Sequence, residues 1–258
     1  MHTESRPAPR FAGWLMLPEP LSVEAVARAG FDWIGIDLQH GSFDLGSAFR
    51  TIQLLDLLGM PALVRLSQDE LPAIARLCDH GASGVIVAMV EGPDVVARAV
   101  ADARYQPEGR RSYGAQRCGL RAEPRDVASV RPAVYAMIED RRGLEHVEEI
   151  ASVPGLAGLH IGPVDLGLGL GLGLVRGDPA WRRAVERIRD VAHSVHLPVA
   201  IHAVSGRDGA SWAADGFDDV VIASDITLLR GAMARELAAA HGEDATHVAA
   251  LGLYGGSR

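Results

Sequence analysis

Short, nearly unbroken apolar runs alternate with amphipathic stretches along this chain, and the alternation occurs eight times. The runs lie at 14–17, 33–36, 62–64, 85–90, 134–138, 159–161, 198–202 and 220–223. The amphipathic segments that follow them lie at 23–30, 49–58, 71–80, 94–105, 144–151, 180–195, 209–214 and 226–240. Runs this short and this continuously apolar suit strands covered on both faces. Glycine after most of the helical segments supplies a left-handed cap. Regular strand–helix alternation implies a parallel sheet, and eight units in 258 residues imply a closed (β/α)₈ TIM barrel, an α/β fold, as one domain spanning 1–258. An open doubly wound sheet would want a glycine-rich first turn, and residues 15–21 do not provide one.

Four segments stand apart from the repeat. Residues 1–10 are polar and expected to be flexible, and 242–258 form a glycine-rich tail, either frayed or docked on a neighbouring subunit. Residues 105–132 are a long arginine- and proline-rich connection. Gly167-Leu-Gly-Leu-Gly-Leu-Gly-Leu174 is out of register for a dinucleotide loop, because position 172 is Leu. It reads as a mobile loop over the site whose leucines can face a ligand.

A net charge of −8 argues against nucleic acid or an anionic membrane as a partner. No apolar stretch approaches a membrane span and no signal-peptide core follows the start, so the expected location is cytoplasmic. Cys78 and Cys118 are far apart and read as reduced thiols. The chain has no lysine: all 25 residues counted as Lys+Arg are arginine. A Schiff base to a carbonyl substrate or to pyridoxal phosphate is therefore excluded.

Catalytic groups of a parallel barrel lie where its strands end. The strand ends here collect Asp37, Gln39, His40, Arg65, Glu139, Asp165, His202 and Ser205. Glu139 and Asp165 follow adjacent strands, and two unpaired carboxylates brought close repel unless a cation lies between them. A hard divalent ion with open positions for water and substrate oxygens suits such a pair. The plainer alternative is that each carboxylate caps its following helix or pairs with Arg141 or Arg142. Arg65 suits an oxyanion, or else a structural ion pair. His40 is the natural proton carrier, with Asp37 close enough to orient it or its water. His202 is a weaker candidate, and His160, inside a strand, reads as a satisfied core residue.

Taken in order, Phe31-Asp-Trp-Ile-Gly-Ile-Asp37-Leu-Gln-His40-Gly, Val64-Arg65, Met137-Ile-Glu139 and Ile161-Gly-Pro-Val-Asp165-Leu resemble the HpcH/HpaI aldolase/citrate lyase family over residues 11–240. The closer similarity is to the metal-dependent class II pyruvate aldolases, which cleave 4-hydroxy-2-oxo acids. The resemblance implies that Glu139 and Asp165 ligate Mg²⁺, Mn²⁺ or Co²⁺. Pyruvate would chelate that ion, its carboxylate also meeting backbone N–H groups around Gly162 to Asp165, a turn that includes Pro163 and Val164. Arg65 would stabilise the enolate, and His40 would handle the proton of the 4-hydroxyl. An aspartate that pairs with this histidine aligns with Asp79, near the end of the third helix. Serving the mouth from there requires a neighbouring subunit, in keeping with the family's hexamers, trimers of dimers.

This chain departs from the family pattern at two substrate-side positions. Gln39 stands where the best-known members have Glu, removing a charge near the metal. Met137 stands in place of Gln, removing a polar contact to metal-bound water or pyruvate. Residues 114–131, which border the site, are also shorter and less regular than the pattern. Without lysine, a divalent metal is the electron sink left for a pyruvate enolate. The expected activity is reversible cleavage of a 4-hydroxy-2-oxo acid to pyruvate, a small 2-oxo acid, and an aldehyde. The alternatives are an oxaloacetate-type decarboxylase and a CoA-thioester lyase, the latter disfavoured because no basic patch for CoA phosphates is evident. A non-catalytic metabolite-binding barrel is the remaining reading. The absence of G-x-S-x-G argues against a serine hydrolase.

Overall fold

The computed structural model describes residues 7–114, 117, 120, 129–174 and 177–242. Eight parallel strands close into a barrel in sequence order: β1 (Arg10–Leu15), β2 (Trp33–Asp37), β3 (Ala62–Leu66), β4 (Gly84–Val87), β5 (Ala133–Ile138), β6 (Gly158–Ile161), β7 (Val199–His202) and β8 (Asp219–Ser224). β8 returns to β1, with a register shift between Ala12 and Gly13. The helices are α1 (Pro20–Ala27), α2 (Leu45–Leu57), α3 (Ile74–His80), α4 (Pro93–Ala103), α5 (Arg141–Glu145), α6 (Val147–Ala151), α7 (Pro163–Gly169), α8 (Pro179–Ser194), α9 (Gly206–Ala214) and α10 (Asp225–Ala240). The expected (β/α)₈ architecture is therefore the observed one.

Local chemistry explains the boundaries. Asp44 and Ser47 form a reciprocal capping box that starts α2, with the Ser47 N–H 2.6 Å from Asp44 Oδ1. α8 begins with Pro179 in its first turn, and the Asp178 carboxylate accepts the Ala180 N–H at 2.7 Å. It buries Trp181, Ala184, Val185, Ile188 and Ala192, the spacing of a single helical face. The third helical segment opens as a 3₁₀ turn at Gln68–Ala73 because Pro72 has no N–H to give, and α-geometry begins at Ile74.

Part of the Gly–Leu run departs from expectation: Gly167, Leu168 and Gly169 end α7, and residues 170–174 follow as turns. The Trp181 indole holds the start of α7 by donating to the Pro163 carbonyl at 2.8 Å, and Leu166 is fully buried. Only Leu168 and Leu174 are well exposed, whereas Leu170 and Leu172 pack against the core.

Two apolar layers result. The larger lies between sheet and helices. The smaller fills the lumen with Ala12, Trp14, Trp33, Leu63, Ile86 and Met137 among others, so the barrel is a packed core and not a pore. At its lower end Asp219 accepts from the Trp33 indole at 2.8 Å and from Arg10 at 2.7 Å, tying β8 to β1. β1 thus begins at Arg10, inside the stretch expected to be flexible.

α10 buries only Asp225 and Ala238, and leaves Leu228, Leu229, Met233 and Leu237 at least half exposed. Among the described residues no helix is long and apolar enough to cross a membrane. Cys78 is a buried free thiol. Cys118, the tail beyond residue 242, and most of the 114–131 segment lie outside the described residues.

Candidate active site

The mouth of the barrel has two halves. On the β2–β3 side, Asp37 and Arg65 are register partners on neighbouring strands. The Asp37 carboxylate is fully buried and accepts from Arg65 Nε at 3.1 Å and, in a short contact, from Arg65 Nη2. It also takes the Trp14 indole N–H at 3.1 Å and the backbone N–H groups of Gln39 (3.2 Å) and His40 (2.9 Å). Burial by itself would raise this carboxyl. The Arg65 charge and hydrogen bonds outweigh it, and with the His40 N–H and the Trp14 indole hold Asp37 below the usual carboxylate range. The Arg65 guanidinium lies 5.5 Å from the Trp14 ring centroid. Its Nη1 makes no hydrogen bond with any described residue.

His40 is exposed on the turn after β2. Asp37 therefore positions it through the main chain, and the imidazole has no hydrogen-bond partner among the described residues. Gln39 is half-buried, with a buried and unpartnered Oε1.

The β5–β6 side is built in the opposite way. Glu139, 2% exposed, receives one hydrogen bond, from the Met89 N–H at 2.6 Å, and forms no ion pair with a described residue. Burial pushes its carboxyl up to about 7. The like charge of Asp165 adds to this, against the Met89 bond and the charge of Arg65. Gly162 makes the packing feasible, since a Cβ there would overlap the Glu139 Oε2. Asp165 is exposed in the first turn of α7 and has no ion-pair partner among the described residues.

For Glu139 the plainer reading fails on geometry, whereas Asp165 does lie in the first turn of its helix. α5 is capped by Asp140, which accepts the Gly143 N–H at 2.6 Å, and not by Glu139. Arg142 pairs with Glu91 at 2.8 Å, and Arg141 donates to the Leu170 carbonyl at 3.2 Å. A buried carboxylate with no cationic partner, raised further by a second carboxylate, is what a divalent ion would relieve, so the residues fit such an ion. Among the described residues no group of three or more His, Cys, Asp or Glu is arranged to hold a metal. The chain offers these two carboxylates and leaves any other positions to water and substrate.

A family model for HpcH/HpaI aldolase/citrate lyase matches residues 10–230. The chain belongs to the HpcH/HpaI aldolase/citrate lyase family. It is 36% identical to a hydroxypyruvate/pyruvate aldolase of Rhizorhabdus wittichii, over 91% of this chain and 94% of that protein. It is 30% identical to a 5-keto-4-deoxy-D-glucarate aldolase of Shigella dysenteriae, over 85% and 87% of the two chains. A crystal structure of an HpcH/HpaI family protein from Burkholderia cenocepacia J2315 superposes with a TM-score of 0.83 at 27% identity, covering 91% and 95%. Membership of this family and these relatives support an enzyme of the aldolase-type lyase class.

Within the HpcH/HpaI frame, the remaining expected residues fall in different places. Met137 lines the lumen, in register with His160. Pro163 is buried and Val164 half-buried in the first turn of α7, where N–H groups have no intrahelical acceptor. Asp79 lies in the last turn of α3, at the opposite end of the barrel from Asp37 and Arg65, and accepts from Arg111 Nη2 at 2.5 Å. Ser205 caps α9 by accepting the Asp208 N–H at 3.2 Å. His160 is fully buried, as expected. Neither ring nitrogen has a hydrogen-bond partner among the described residues, and burial with the nearby Arg65 charge lowers its pKa to about 3.

Sequence reasoning missed Trp14, which bonds to Asp37, carries Arg65 over its face and meets the His202 ring edge-on at 4.5 Å. A signal was available. Gly35 stands beside it on β2, and a Cβ there would lie inside the Trp14 indole. It also missed Met89, whose main chain serves Glu139 from a positive φ of 52° and which no motif marks.

Proposed function

We propose that this chain is a divalent-metal-dependent aldolase that cleaves a 4-hydroxy-2-oxo acid reversibly to pyruvate and an aldehyde. The observation that carries this reading is Glu139: a buried carboxylate without a cationic partner, beside Asp165 and opposite an arginine locked in place by Asp37. Glu139 and Asp165 would hold Mg²⁺, Mn²⁺ or Co²⁺, which supplies positive charge to draw electrons toward the 2-oxo group.

The chain's own groups do the rest. First-turn N–H groups of Val164 and Asp165, just past Gly162, orient the substrate carboxylate. Gln39, Met137 and Pro163 line the 2-oxo acid. His40 takes the proton of the 4-hydroxyl as the C3–C4 bond breaks, the aldehyde leaves, and the bonding pair passes to the C2 oxygen as an enolate. The Nη1 end of Arg65 stabilises that oxygen, and protonation at C3 then gives pyruvate.

The exposed stripe of Leu228, Leu229, Met233 and Leu237 on α10 supports a homo-oligomer, for which we infer a hexamer, a trimer of dimers. In it, Asp79 of one protomer would reach His40 of another.

Thorough chelation should abolish cleavage, and Mg²⁺, Mn²⁺ or Co²⁺ should restore it; cleavage that persists in the chelated enzyme contradicts the proposal. Arg65→Ala should abolish exchange of the pyruvate methyl protons as well as cleavage, whereas His40→Ala should retain part of the exchange. Equal loss of exchange in the two variants contradicts the roles assigned to them.

A further inference from the structure

Two leucines of the Gly–Leu run, which the catalytic reading leaves unused, line an open cleft on the surface. Leu170 and Leu172, with Leu144 from α5, line a space of about 320 Å³ between α5 and α8, on the outside of the barrel near its mouth. Arg141, Arg183 and Arg187 stand around it. Arg187 is held by Glu148 at 2.9 Å, and Arg141 by the Leu170 carbonyl at 3.2 Å. Arg183 has neither an ion pair nor a hydrogen bond with any described residue.

Arg141, Arg183 and Arg187 are all exposed, so their guanidinium groups are open to a solute. A guanidinium fork suits a carboxylate or phosphate, and a leucine floor suits carbon. Water satisfies only the first of these.

The position of the cleft gives it a consequence. Arg141 is two residues beyond Glu139, and Leu170 lies just past the helix that carries Asp165. The two segments are in contact, because Gly169 packs against the Asp140 backbone so closely that a Cβ would stand 2.9 Å from its Cα. An occupant touching both Arg141 and the 170–172 turn therefore bears on both carboxylates from behind.

We propose that this cleft binds a small organic anion, a single carboxylate or phosphate head on a compact apolar body, and that its occupancy tunes the Glu139–Asp165 pair. The tuning rests on the catalytic reading above, whereas the binding does not.

The test is calorimetric titration of the full-length protein with Mg²⁺ and saturating pyruvate, so that anion sites at the mouth are filled. Phenyl phosphate, benzoate and inorganic phosphate are the probes. Either aromatic anion should bind once per chain, and the tighter of the two identifies the head group. Inorganic phosphate should bind about tenfold more weakly or worse, since it cannot use the leucines. Arg183→Glu should weaken the aromatic probe by about tenfold or more, and Leu172→Asp should do so with Arg183 intact. Inorganic phosphate binding as tightly as phenyl phosphate, or unchanged binding to Arg183→Glu, overturns the site. Saturating phenyl phosphate should shift kcat/KM of the wild type by about threefold or more and leave the unperturbed basal rate of Arg183→Glu alone. An unmoved wild-type rate overturns the coupling. The titration needs no turnover, so a chain with no aldolase activity would still decide the binding.

Discussion

The β2–β3 and β5–β6 halves of the mouth each present a buried carboxylate at a strand end, and they are opposites in how that charge is met. Asp37 is surrounded by donors: a guanidinium, an indole and two backbone N–H groups. Glu139 has one backbone N–H and a like charge nearby. The first half is complete in the chain as it folds, and so serves to hold Arg65 still. The second half is not completed by any described residue, and the cation proposed above would complete it. A buried charge is expensive until paired, which is why the unpaired one is the proposed ligand position.

Asp37→Asn tests the completed half and should have the largest effect. Removing the counter-charge of a buried arginine is expected to cost about 3–5 kcal/mol of stability. A loss of kcat/KM of roughly 10³-fold or more should accompany it, because Arg65 is no longer held. Denaturant unfolding and steady-state kinetics check both, and a stable, active variant would show that Arg65 does not depend on Asp37.

Glu139→Gln sharpens the contrast by going the other way in stability. In the metal-free protein the folded carboxyl titrates at about 7, against 4.5 in the unfolded chain. Below 4.5 both states are protonated and nothing is lost. Between 4.5 and 7 the unfolded chain ionises first, so stability falls as pH rises, by up to about 3 kcal/mol. The variant should therefore be inactive yet more stable than wild type at pH 8, with a flatter pH profile. A divalent cation should flatten the wild-type profile as well.

Much of this contrast could not be read along the chain. The eight-fold alternation, the barrel and the identity of the strand-end residues were legible, because each depends on neighbours in sequence. Asp37 and Glu139 look alike in that view, each an acid closing an apolar run. Which of them is paired depends on the adjacent strand, where register sets Arg65 beside Asp37 and sets nothing cationic beside Glu139. The start of the Gly–Leu run misled for a related reason. Its glycines suggest a loop from Gly167 onward, but Pro163 in the first turn and the Trp181 bond to the Pro163 carbonyl, 18 residues apart, hold a helix through Gly169. His160 was read correctly as core, but that no described residue bonds its ring could not be foreseen, since hydrogen-bond partners across a lumen leave no trace in spacing.

Two smaller effects refine the comparison. Gly162→Ala should press a methyl group onto the Glu139 carboxylate. About 1–3 kcal/mol of destabilisation is expected, with metal affinity weakened more than Arg65-dependent binding of a pyruvate analogue. Equal weakening of both would mean that the two halves are not separable. His160→Phe should change little at pH 8. The wild-type imidazole, depressed to about 3, stays neutral while the unfolded chain gains a proton near 6.5, so wild-type stability declines as pH falls from about 6.5 toward 3. The variant should lack that decline, as thermal unfolding across pH 4–8 can show.

Metal binding itself separates the two halves most directly. Mn²⁺ titrated at pH 6.5 into wild type, Glu139→Gln and Asp37→Asn, followed by calorimetry in buffers of different ionisation enthalpy, reads both affinity and proton release. Wild type should bind one ion per site and release a proton from Glu139. Glu139→Gln should lose binding, and folded Asp37→Asn should keep it. Binding that survives in Glu139→Gln, or that disappears in a folded Asp37→Asn, would contradict the division of the mouth into a finished half and one that a cation completes.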